Sequence, residues 1–506
     1  MHLVHLAAAG VEGVDGFVVT VEVNRYEPET GIGRTTVVGL PDAAVRESID
    51  RVTPAIFNSG FSHRPTDQLV VNLAPAERRK AGPAFDLAIA LGMIATIEGN
   101  PIESLPTDTM FCAELALDGS LRPIGGVLPM ALAARDAGLR RLVVAPGNAA
   151  EAAVLPELEV LAPPNLATLV SHLAGVAPLP RVPVPDHDPS AMVAPDLSEV
   201  RGQAHAKRAL EIAAAGGHNL LMLGPPGSGK TMLARRLPGI LPPMTLDEAV
   251  DATRVHSVSG LLGGGLLRTR PFRAPHHNVS AVGLIGGGSN PQPGEVSLAH
   301  RGVLFLDELP EYPRPVLESL RQPLEDGHLT ISRSGGRLRF PAACTLVAAM
   351  NPCPCGYLGH PTRGCSCSQE RIHRYRARIS GPLLDRIDLH LEVPAQAPAT
   401  LDAASPGEDS ATVRARVLAA RQRMLERQGC ANAGLSPGVL RRVLAITEPA
   451  RALLHQAVEE LGLSARAHDR IGKVARTIAD LAGDSAVDLE AISEAIGYRL
   501  LDRQVW

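Results

Sequence analysis

A phosphate-binding loop is the first feature of this sequence whose residues could do chemistry. A short apolar run at 219–223 is followed by a glycine-rich octet and then by a helical pattern from Met232. The octet has the spacing GxxxxGK[ST] in a strand–loop–helix context, in which backbone N–H groups and a helix amino terminus cradle phosphates. Its members are Gly224, Pro225, Pro226, Gly227, Ser228, Gly229, Lys230 and Thr231. In such a loop we expect Lys230 to reach the β- and γ-phosphates of ATP and Thr231 to bind Mg²⁺.

Two carboxylates and one amide follow apolar runs further along the chain. The run Gly302–Leu306 ends in Asp307 and Glu308, and the run Thr345–Met350 ends at Asn351. If both runs are strands beside the phosphate-binding strand, Asp307 suits the Mg²⁺ shell and Glu308 suits a base that orients the attacking water. Asn351 could then hold that water against the γ-phosphate. An ordinary turn residue at a strand end is the alternative interpretation of Asn351.

Further stretches resemble the magnesium-chelatase-like ComM/YifB family of AAA+ ATPases, and the resemblance extends over essentially the whole chain. These stretches are Pro271–His277, Val282–Pro293, Gly294–His300, GVLFLDELPEY, Asn351–Gly356 and Gly381–His390. The resemblance implies a ring, expected to be a hexamer, with nucleotide at subunit interfaces. It also implies that Arg386 is an arginine finger acting on the neighbour's γ-phosphate and that Arg466 is the sensor-2 arginine of the lid. Spacing alone would leave both arginines as surface or salt-bridge residues. Residues 282–299 correspond to the family's helix-2 insert, a pore-facing loop.

Residues 328–340 predict a β-hairpin, because two alternating runs flank a Ser-Gly-Gly turn. Arg333, Arg337 and Arg339 lie at or beside its tip. The position resembles the hairpin that projects toward the pore in helix-2-insert ATPases, so we expect the three arginines to contact DNA phosphates. A solvated hairpin is the alternative. The arginine-rich helix pattern at 410–428 is more typical of a solvated face or a subunit contact.

Four cysteines crowd a Gly- and Pro-rich stretch just after Asn351. They are Cys353, Cys355, Cys365 and Cys367. Four thiolates are enough for a tetrahedral structural Zn²⁺ site, although each pair is spaced C-x-C rather than the usual C-x₂₋₄-C. Reduced loop thiols are an equally good interpretation, and redox pairing is a weaker one. Bound zinc would be a clip near the nucleotide site, not a catalyst.

The amino-terminal part resembles the Lon-protease domain, which has a ribosomal-S5-like α+β fold. The resemblance is carried by residues 80–92, 114–126 and 132–138. Lon proteases use a Ser–Lys dyad, but here the nucleophile position after Gly-Pro holds Ala84 and the lysine position after Gly-Gly holds Leu128. Since neither an activated hydroxyl nor a base is present, we expect no peptidase activity and a role in assembly or substrate engagement.

The elements that must position these residues form an α/β chain of three domains. Short β-branched runs alternate with helical patterns before a Pro-rich stretch, a second α/β part follows it, and the pattern from about Ser405 is all helical. The predicted lid helices are 410–428, 437–444, 448–461, 465–481 and 489–498. The predicted domains are a Lon-like S5-fold domain at 1–177, a Pro-rich linker at 178–197, an AAA+ core of the helix-2-insert type at 198–395 and a helical lid at 396–506.

Composition restricts how such a protein could meet nucleic acid. The 506 residues carry 49 Lys and Arg against 53 Asp and Glu, and this near balance argues against a protein that coats DNA or membranes by bulk charge. Aromatic residues make up only 3%, which disfavours base-stacking platforms. Contacts to DNA should therefore be few, local and to the backbone. Seven cysteines without a secretory pattern, and no basic n-region or long apolar run, predict a cytoplasmic protein without a membrane span.

The resemblance implies an ATP hydrolase that couples hydrolysis to translocation on DNA. Helicase or branch-migration activity on recombination intermediates in natural transformation is expected, with single-stranded or branched DNA in the pore. The alternative is a chelatase-type or protein-remodelling ATPase acting on a protein partner. The Lon-like domain and the lack of an Asp-x-Ser-x-Ser motif disfavour that alternative. The missing dyad disfavours an ATP-dependent protease.

Overall fold

Two compact units make up the chain in a computed structural model of the protein. The described residues are 3–26, 33–62, 64, 67–184, 194–288, 291–333, 336–360, 362–396 and 407–499. The first unit contains Met1–His187 with Thr253–Leu267, and the second contains Asp188–Ala252 with Arg268–Trp506. The middle of the predicted linker, 185–193, and the first residues of the predicted lid, 397–406, lie outside the described residues.

A seven-stranded mixed sheet forms the centre of the first unit, in the order β3-β4-β2-β1-β5-β8-β9. The strands of this unit are β1 (Leu3–Glu12), β2 (Asp15–Tyr26), β3 (Thr35–Val38), β4 (Gln68–Ala74), β5 (Thr109–Cys112), β6 (Glu114–Leu115), β7 (Leu121–Arg122), β8 (Arg141–Val144) and β9 (Glu159–Leu161). β1 pairs antiparallel with β2, and β2 pairs antiparallel with β4. Alternate residues of β2 are buried, as expected of a strand with one face on a core.

Helices cover this sheet and complete an aliphatic core. The helices are Ala43–Asn58, Asp86–Ala95, Val127–Asp136, Ala149–Ala152 and Leu166–Leu173. The first begins at Asp42, whose side chain accepts a hydrogen bond from the backbone of Val45 at 2.9 Å, a normal amino-terminal cap. Every residue of helix Asp86–Ala95 is buried. The core is filled mainly by Val, Leu, Ile and Ala, as the low aromatic content requires.

Residues 253–267 belong to the first unit, although the sequence places them inside the ATPase core. Arg254 pairs with Asp15 at 3.0 Å, and the backbone N–H of Gly126 donates to the carbonyl of Ser257 at 3.2 Å. The Ser257 hydroxyl donates to the buried Glu151. Because these contacts join residues more than a hundred positions apart, local sequence patterns carry no signal for them.

A five-stranded parallel sheet organises the second unit, in the order β11-β14-β17-β10-β18. The strands of this unit are β10 (Leu220–Leu223), β11 (Phe272–Arg273), β12 (Gly286–Gly287), β13 (Gln292–Pro293), β14 (Val303–Leu306), β15 (His328–Arg333), β16 (Gly336–Pro341), β17 (Thr345–Met350) and β18 (Leu389–Glu392). β10, β14 and β17 are almost wholly apolar, as expected of strands covered on both faces. Since all five strands of the sheet run the same way, the residues that follow them meet at one edge.

Helices surround this sheet and form the carboxyl-terminal part of the unit. Those up to residue 384 are Ala204–Gly216, Lys230–Ala234, Leu237–Ile240, Leu246–Val258, Ala281–Ile285, Glu295–Leu298, Arg314–Ser319, Arg321–Asp326, Gln369–Arg376 and Gly381–Leu384. Of these, the helix Leu246–Val258 belongs to this unit only as far as residue 252. The last five are Ser410–Gln428, Pro437–Val443, Glu448–Leu461, Ala465–Ala482 and Leu489–Gly497, within one residue of the predicted bounds at every end. Among the helices of the described residues, none has both the length and the apolar content to cross a membrane.

Candidate nucleotide site

The glycine-rich octet forms a loop between β10 and the helix that begins at Lys230. The N–H of Gly224 donates to the carbonyl of Met350 at 3.1 Å, which ties the start of the loop to the end of β17. A Cβ atom at Gly224 would lie 2.2 Å from the carbonyl oxygen of Val393, so only glycine fits there. The sequence therefore folds the loop tightly over the end of the sheet, in the strand–loop–helix arrangement that is typical of phosphate-binding loops.

Lys230 lies inside this loop. Its Nζ donates to the carbonyl oxygens of Gly224 at 2.7 Å and Pro225 at 2.9 Å, and it lies 3.4 Å from Oδ1 of Asn351. The side chain is almost fully buried, and this burial lowers the pKa of the ammonium group. The predicted partners of a triphosphate, Lys230 and Asn351, are thus in contact across β10 and β17.

The two carboxylates after β14 lie on the other side of the loop. The hydroxyl of Thr231 donates to Oδ2 of Asp307 at 2.7 Å. Oδ1 of Asp307 accepts a hydrogen bond from the N–H of Glu308 at 3.0 Å. Glu308 has φ of 51°, a left-handed conformation that is uncommon outside glycine, and half of its side chain is exposed. The turn therefore places the Asp307 carboxylate against the Thr231 hydroxyl and leaves the Glu308 carboxylate half exposed to solvent.

His277 is a residue of this site to which sequence reasoning assigned no role. Its Nδ1 lies 3.4 Å from Oε2 of Glu308, and its ring packs against that of His276. Strand register explains the contact: Arg273 pairs with Leu304, so the residues four positions beyond each, His277 and Glu308, reach the same place. His277 could not be predicted as a site residue, because the sequence does not show that β11 pairs with β14.

The donors of this site fit MgATP. A hydroxyl and a carboxylate, Thr231 and Asp307, are oxygen ligands of the kind that Mg²⁺ takes beside phosphates. The buried hydroxyl of Ser228 has no hydrogen-bond partner among the described residues, and a phosphate oxygen could provide one. Lys230 supplies the positive charge. The arrangement can hold a triphosphate with its metal and present Glu308 to a water molecule.

Arg386 and Arg466 do not lie at this edge of the sheet. The carbonyl of Arg386 accepts a hydrogen bond from the side chain of Asn219 at 2.9 Å, which places Arg386 at the start of β10, whereas the phosphate loop follows its end. A four-residue strand spans about 13 Å. The Arg386 guanidinium donates to the carbonyls of Arg321 at 3.0 Å and Pro382 at 2.7 Å, and it pairs with Glu325.

A cavity of about 740 Å³ brings these two arginines together. Basic side chains from several elements line it: Arg270, Arg301, Arg386, Arg421, Arg466, Arg470 and Lys473. The acidic side chains in its wall are fewer: Glu248, Glu325, Asp385, Asp388 and Asp469. The structure thus separates the predicted site residues into one group at the phosphate loop and a second, basic group at the opposite edge of the same sheet.

The predicted hairpin is formed by β15 and β16, which pair antiparallel from His328 with Pro341 to Arg333 with Gly336. Arg337 is exposed, and Nη2 of the exposed Arg339 lies 3.1 Å from Nδ1 of His328 across the hairpin. Because the two arginines are two positions apart on one strand, they lie on the same face. The side chain of Arg333 and the turn residues 334–335 lie outside the described residues.

The four cysteines after Asn351 come together in space. All four Sγ atoms lie within 4.8 Å of one another. Sγ of Cys353 is 3.4 Å from that of Cys355 and 3.6 Å from that of Cys365, distances too long for a disulfide. Four sulfurs bound tetrahedrally to zinc would be about 3.8 Å apart, given zinc–sulfur bonds of about 2.3 Å. Backbone N–H groups of Tyr357 and Ser366 lower the pKa of Cys355. At Cys365 and Cys367, backbone hydrogen bonds are outweighed by burial and the neighbouring thiols, which raise the pKa values of both. It is the positions of the four sulfurs that support a metal site. The cluster could therefore hold a metal ion.

Comparisons with known proteins match almost the whole chain. The family described as magnesium chelatase, subunit ChlI, matches residues 196–401. Families described as subunit ChlI of Mg-chelatase and as the carboxyl-terminal part of magnesium chelatase subunit ChlI match residues 21–148 and 407–499. These matches cover both units and include the phosphate loop, both carboxylates and the four cysteines.

Individual relatives give the same result. The competence protein ComM of Haemophilus influenzae is 45% identical over 498 residues, which is 97% of this chain and 96% of that protein. The protein YifB of Escherichia coli is 42% identical over 506 residues, which is 99% of this chain and 98% of that protein. A Lon protease of Rhizobium meliloti is 25% identical over 194 residues, which is 35% of this chain and 23% of that protein.

Proposed function

This chain belongs to the magnesium-chelatase-like ComM/YifB family of AAA+ ATPases, and on that basis we propose that it is a ring-forming ATP hydrolase that translocates on DNA. Its activity would be helicase or branch-migration activity on recombination intermediates during natural transformation, in the cytoplasm. The relative named a competence protein supports this biological setting.

The observation that carries the hydrolase proposal is the convergence of five side chains at the carboxyl edge of the parallel sheet: Lys230, Thr231, Asp307, Glu308 and Asn351. Lys230 would hold the β- and γ-phosphates, and Thr231 and Asp307 would hold Mg²⁺. Bound Mg²⁺ would neutralise charge on the phosphate oxygens. Glu308 would orient the attacking water, and Asn351 would keep that water near the γ-phosphate.

The ring proposal rests on the place of Arg386 and Arg466. Both line the cavity at the amino edge of the sheet, while the phosphate loop follows its carboxyl edge. Arg386 of one subunit would therefore serve the γ-phosphate of a neighbouring subunit, where positive charge stabilises the transition state. Arg466 would be the sensor-2 arginine of the lid. Nucleotide would then sit at subunit interfaces, and a closed ring gives every loop such a neighbour. The family resemblance implies that this ring is a hexamer.

The DNA proposal rests on the hairpin of β15 and β16. Arg337 and Arg339 share one exposed face, and Arg333 lies directly before the turn. Contacts from these arginines to phosphates would be independent of base sequence and sensitive to salt. In a ring, the hairpins of all subunits would point their arginines at one strand in the pore.

We also propose that the four cysteines hold a structural Zn²⁺ ion. Their sulfur separations are close to those of a tetrahedral thiolate site, and none of the three is a disulfide distance.

The amino-terminal unit would have no peptidase activity. Ala84 and Leu128 occupy the positions of the Lon dyad, and both are buried. Their hydrocarbon side chains supply neither a nucleophile nor a base for peptide hydrolysis.

The second candidate function is a chelatase-type or protein-remodelling ATPase acting on a protein partner. The description of the matching families as magnesium chelatase subunits favours it. In that case hydrolysis would be indifferent to DNA and would respond to the partner. The nucleotide site would be the same in both functions.

The test is ATP hydrolysis by the full chain with no DNA, single-stranded DNA and forked DNA, over a range of salt. We expect stimulation by DNA that declines as salt rises, together with unwinding of the fork. The Lys230→Ala variant should lose both activities, and its assembly state should be measured beside them. Hydrolysis that is indifferent to every DNA, with silent changes at Arg337 and Arg339, would exclude the motor on DNA and leave the second candidate.

A further inference from the structure

The loop that carries the four cysteines packs directly on the phosphate loop. Gly356, which follows Cys355, has φ of 83°. A Cβ atom at Gly356 would lie 2.6 Å from Cδ and 2.7 Å from Cγ of Pro226, the third residue of the phosphate loop. The same Cβ would lie 3.9 Å from Cγ of Asn351. One glycine therefore lies against both the phosphate loop and the amide beside Lys230.

Both ends of the cysteine loop are held close to the nucleotide site. At its start, Asn351 lies 3.4 Å from the Lys230 ammonium. At its end, Nε and Nη2 of Arg376 donate back to the carbonyl of Pro352 at 3.2 and 3.1 Å. Arg378 then pairs with Glu311 at 2.9 Å, three residues after Glu308. Displacement of this loop would therefore disturb both sides of the site.

Besides the sulfur cluster, the loop is held by local polar contacts, such as the hydrogen bond from Arg363 to the Tyr357 hydroxyl at 2.9 Å and the packing of Tyr357 against His360. Its described residues between 351 and 368 form no helix and no strand, and only Pro352, Cys353 and Gly356 among them are buried. Ordering a segment without a core costs about 1–2 kcal/mol for each residue. Metal binding by four thiolates supplies folding free energy directly. A metal ion held by the four cysteines would therefore add to the order that the local contacts give this loop.

We propose that zinc held by the four cysteines buttresses the phosphate loop through Gly356 and Pro226, so that metal occupancy controls the affinity of the site for nucleotide. The inference rests on the proposed nucleotide and zinc sites and deepens them, because it gives the metal a regulatory effect on ATP binding. The contact runs through the backbone of Gly356 and not through a cysteine side chain. Zinc acts as a positioning element and takes no part in hydrolysis.

The experiment measures zinc content and nucleotide affinity on the same samples of the full chain, purified anaerobically without chelator. Metal analysis gives the stoichiometry, and a fluorescent ADP analogue gives the dissociation constant. We expect one zinc per chain, at least about tenfold weaker nucleotide binding after the metal is removed, and recovery on adding Zn²⁺ but not Mg²⁺ alone. Cys430→Ser changes a cysteine outside the cluster and should leave both quantities unchanged.

Gly356→Ala separates the effect of the contact between Gly356 and Pro226 from the effect of folding the cysteine loop. This variant keeps all four cysteines, so it should retain one zinc per chain while binding nucleotide several-fold more weakly, because the added methyl group pushes on Pro226. Unchanged nucleotide affinity in both the metal-free protein and Gly356→Ala would overturn the buttress while leaving the nucleotide site intact. Zinc-loaded protein that binds no nucleotide would instead overturn the proposed function itself. Absence of stoichiometric zinc would overturn the proposal that zinc controls nucleotide affinity, because the cluster would then hold no zinc.

Discussion

The hydroxyl of Thr231 donates a hydrogen bond to Oδ2 of Asp307 over 2.7 Å, although 76 positions separate them in the sequence. Parallel pairing of β14 and β10 with β17 between them brings the two residues to one edge of the sheet. Both side chains offer oxygen ligands of the kind that Mg²⁺ prefers. In the proposed function, this pair would bind Mg²⁺ and set the metal dependence of hydrolysis.

Replacing Asp307 with Asn should weaken the binding of Mg²⁺ without disturbing the fold. The amide keeps the shape of the side chain but loses its charge, so the Mg²⁺ concentration for half-maximal ATP hydrolysis should rise at least about tenfold. A Mg²⁺ titration of the hydrolysis rate measures this. Asp326→Asn, an exposed carboxylate outside the site, is the matched control. A titration curve that superimposes on that of the unchanged protein would contradict the assignment.

Glu308→Gln should separate binding from hydrolysis. If Glu308 orients the attacking water, its loss should lower kcat by about 10²- to 10⁴-fold, while affinity for ATP stays within a few-fold of its original value. Single-turnover hydrolysis and equilibrium nucleotide binding give the two numbers. Glu370→Gln changes an exposed carboxylate that pairs with Arg374, so it is the control and should keep the original kcat. A kcat of Glu308→Gln within a few-fold of the original would contradict the assignment.

Arg386→Ala and Lys230→Ala should complement each other. If the arginine acts on a neighbour, each variant alone assembles only incomplete sites, whereas a random mixed ring regains both residues at about a quarter of its interfaces. Hydrolysis by chains mixed before assembly should therefore exceed the sum of the separate activities. Arg374→Ala, a change at an exposed arginine paired with Glu370, should be active on its own. Mixtures without any gain would place Arg386 outside the neighbour's site.

The sequence predicted the elements of the second unit well, because the residues that form the phosphate loop and that begin and end its helices are close together in the sequence. The phosphate loop is defined by eight consecutive residues, and the helices of the carboxyl-terminal part begin at caps that the sequence displays. Asp409, for example, accepts a hydrogen bond from the N–H of Thr412, and Ser464 accepts one from that of Ala467. Glycines with positive φ, such as Gly429 and Gly483, then end two of these helices.

Contacts between distant strands and loops could not be predicted in the same way. The meeting of His277 with Glu308 depends on the pairing of β11 with β14, and β11 has only two residues. The close approach of Gly356 to Pro226 depends on where two loops lie after folding. The long strand β1 carries only a weak local signal, because three of its ten residues are alanines rather than the β-branched residues that mark a strand in sequence.

Asp388 should make the stability of the second unit sensitive to acid. It accepts a hydrogen bond from Nδ1 of His218 at 3.1 Å and pairs with Arg470. Burial alone would raise the pKa of Asp388, but these two partners outweigh it and hold the pKa well below its ordinary value. A lowered pKa in the folded state gives stabilisation that is complete above the unfolded value of about 3.9 and is lost as pH falls further.

Asp388→Ala is the variant that tests this pair. Removing one partner of a buried ion pair should cost about 3–5 kcal/mol at neutral pH, since Arg470 is left without its counter-charge. The difference in unfolding free energy between the two proteins should shrink below about pH 4, where the stabilisation from the original carboxylate declines. Chemical denaturation across pH measures both effects. Asp326→Ala should behave as the unchanged protein, and a pH-independent difference would show that the change in packing, not in charge, is responsible.

Arg337 gives the most specific test of DNA binding by the hairpin, because its signature is a change in salt dependence. Removing one arginine–phosphate interaction should lower the slope of log K against log salt by about 0.7–0.9, with equal weakening on every DNA sequence. We therefore expect Arg337→Ala to show a shallower slope and weaker binding to single-stranded DNA, while ATP hydrolysis without DNA is unchanged. Arg374→Ala removes a comparably exposed arginine away from the hairpin and should keep the original slope. An unchanged slope in Arg337→Ala would mean that the hairpin is solvated and does not bind DNA. Weakening confined to particular base sequences would mean that the hairpin contacts bases. Either result would remove the support for binding of the DNA backbone in the pore.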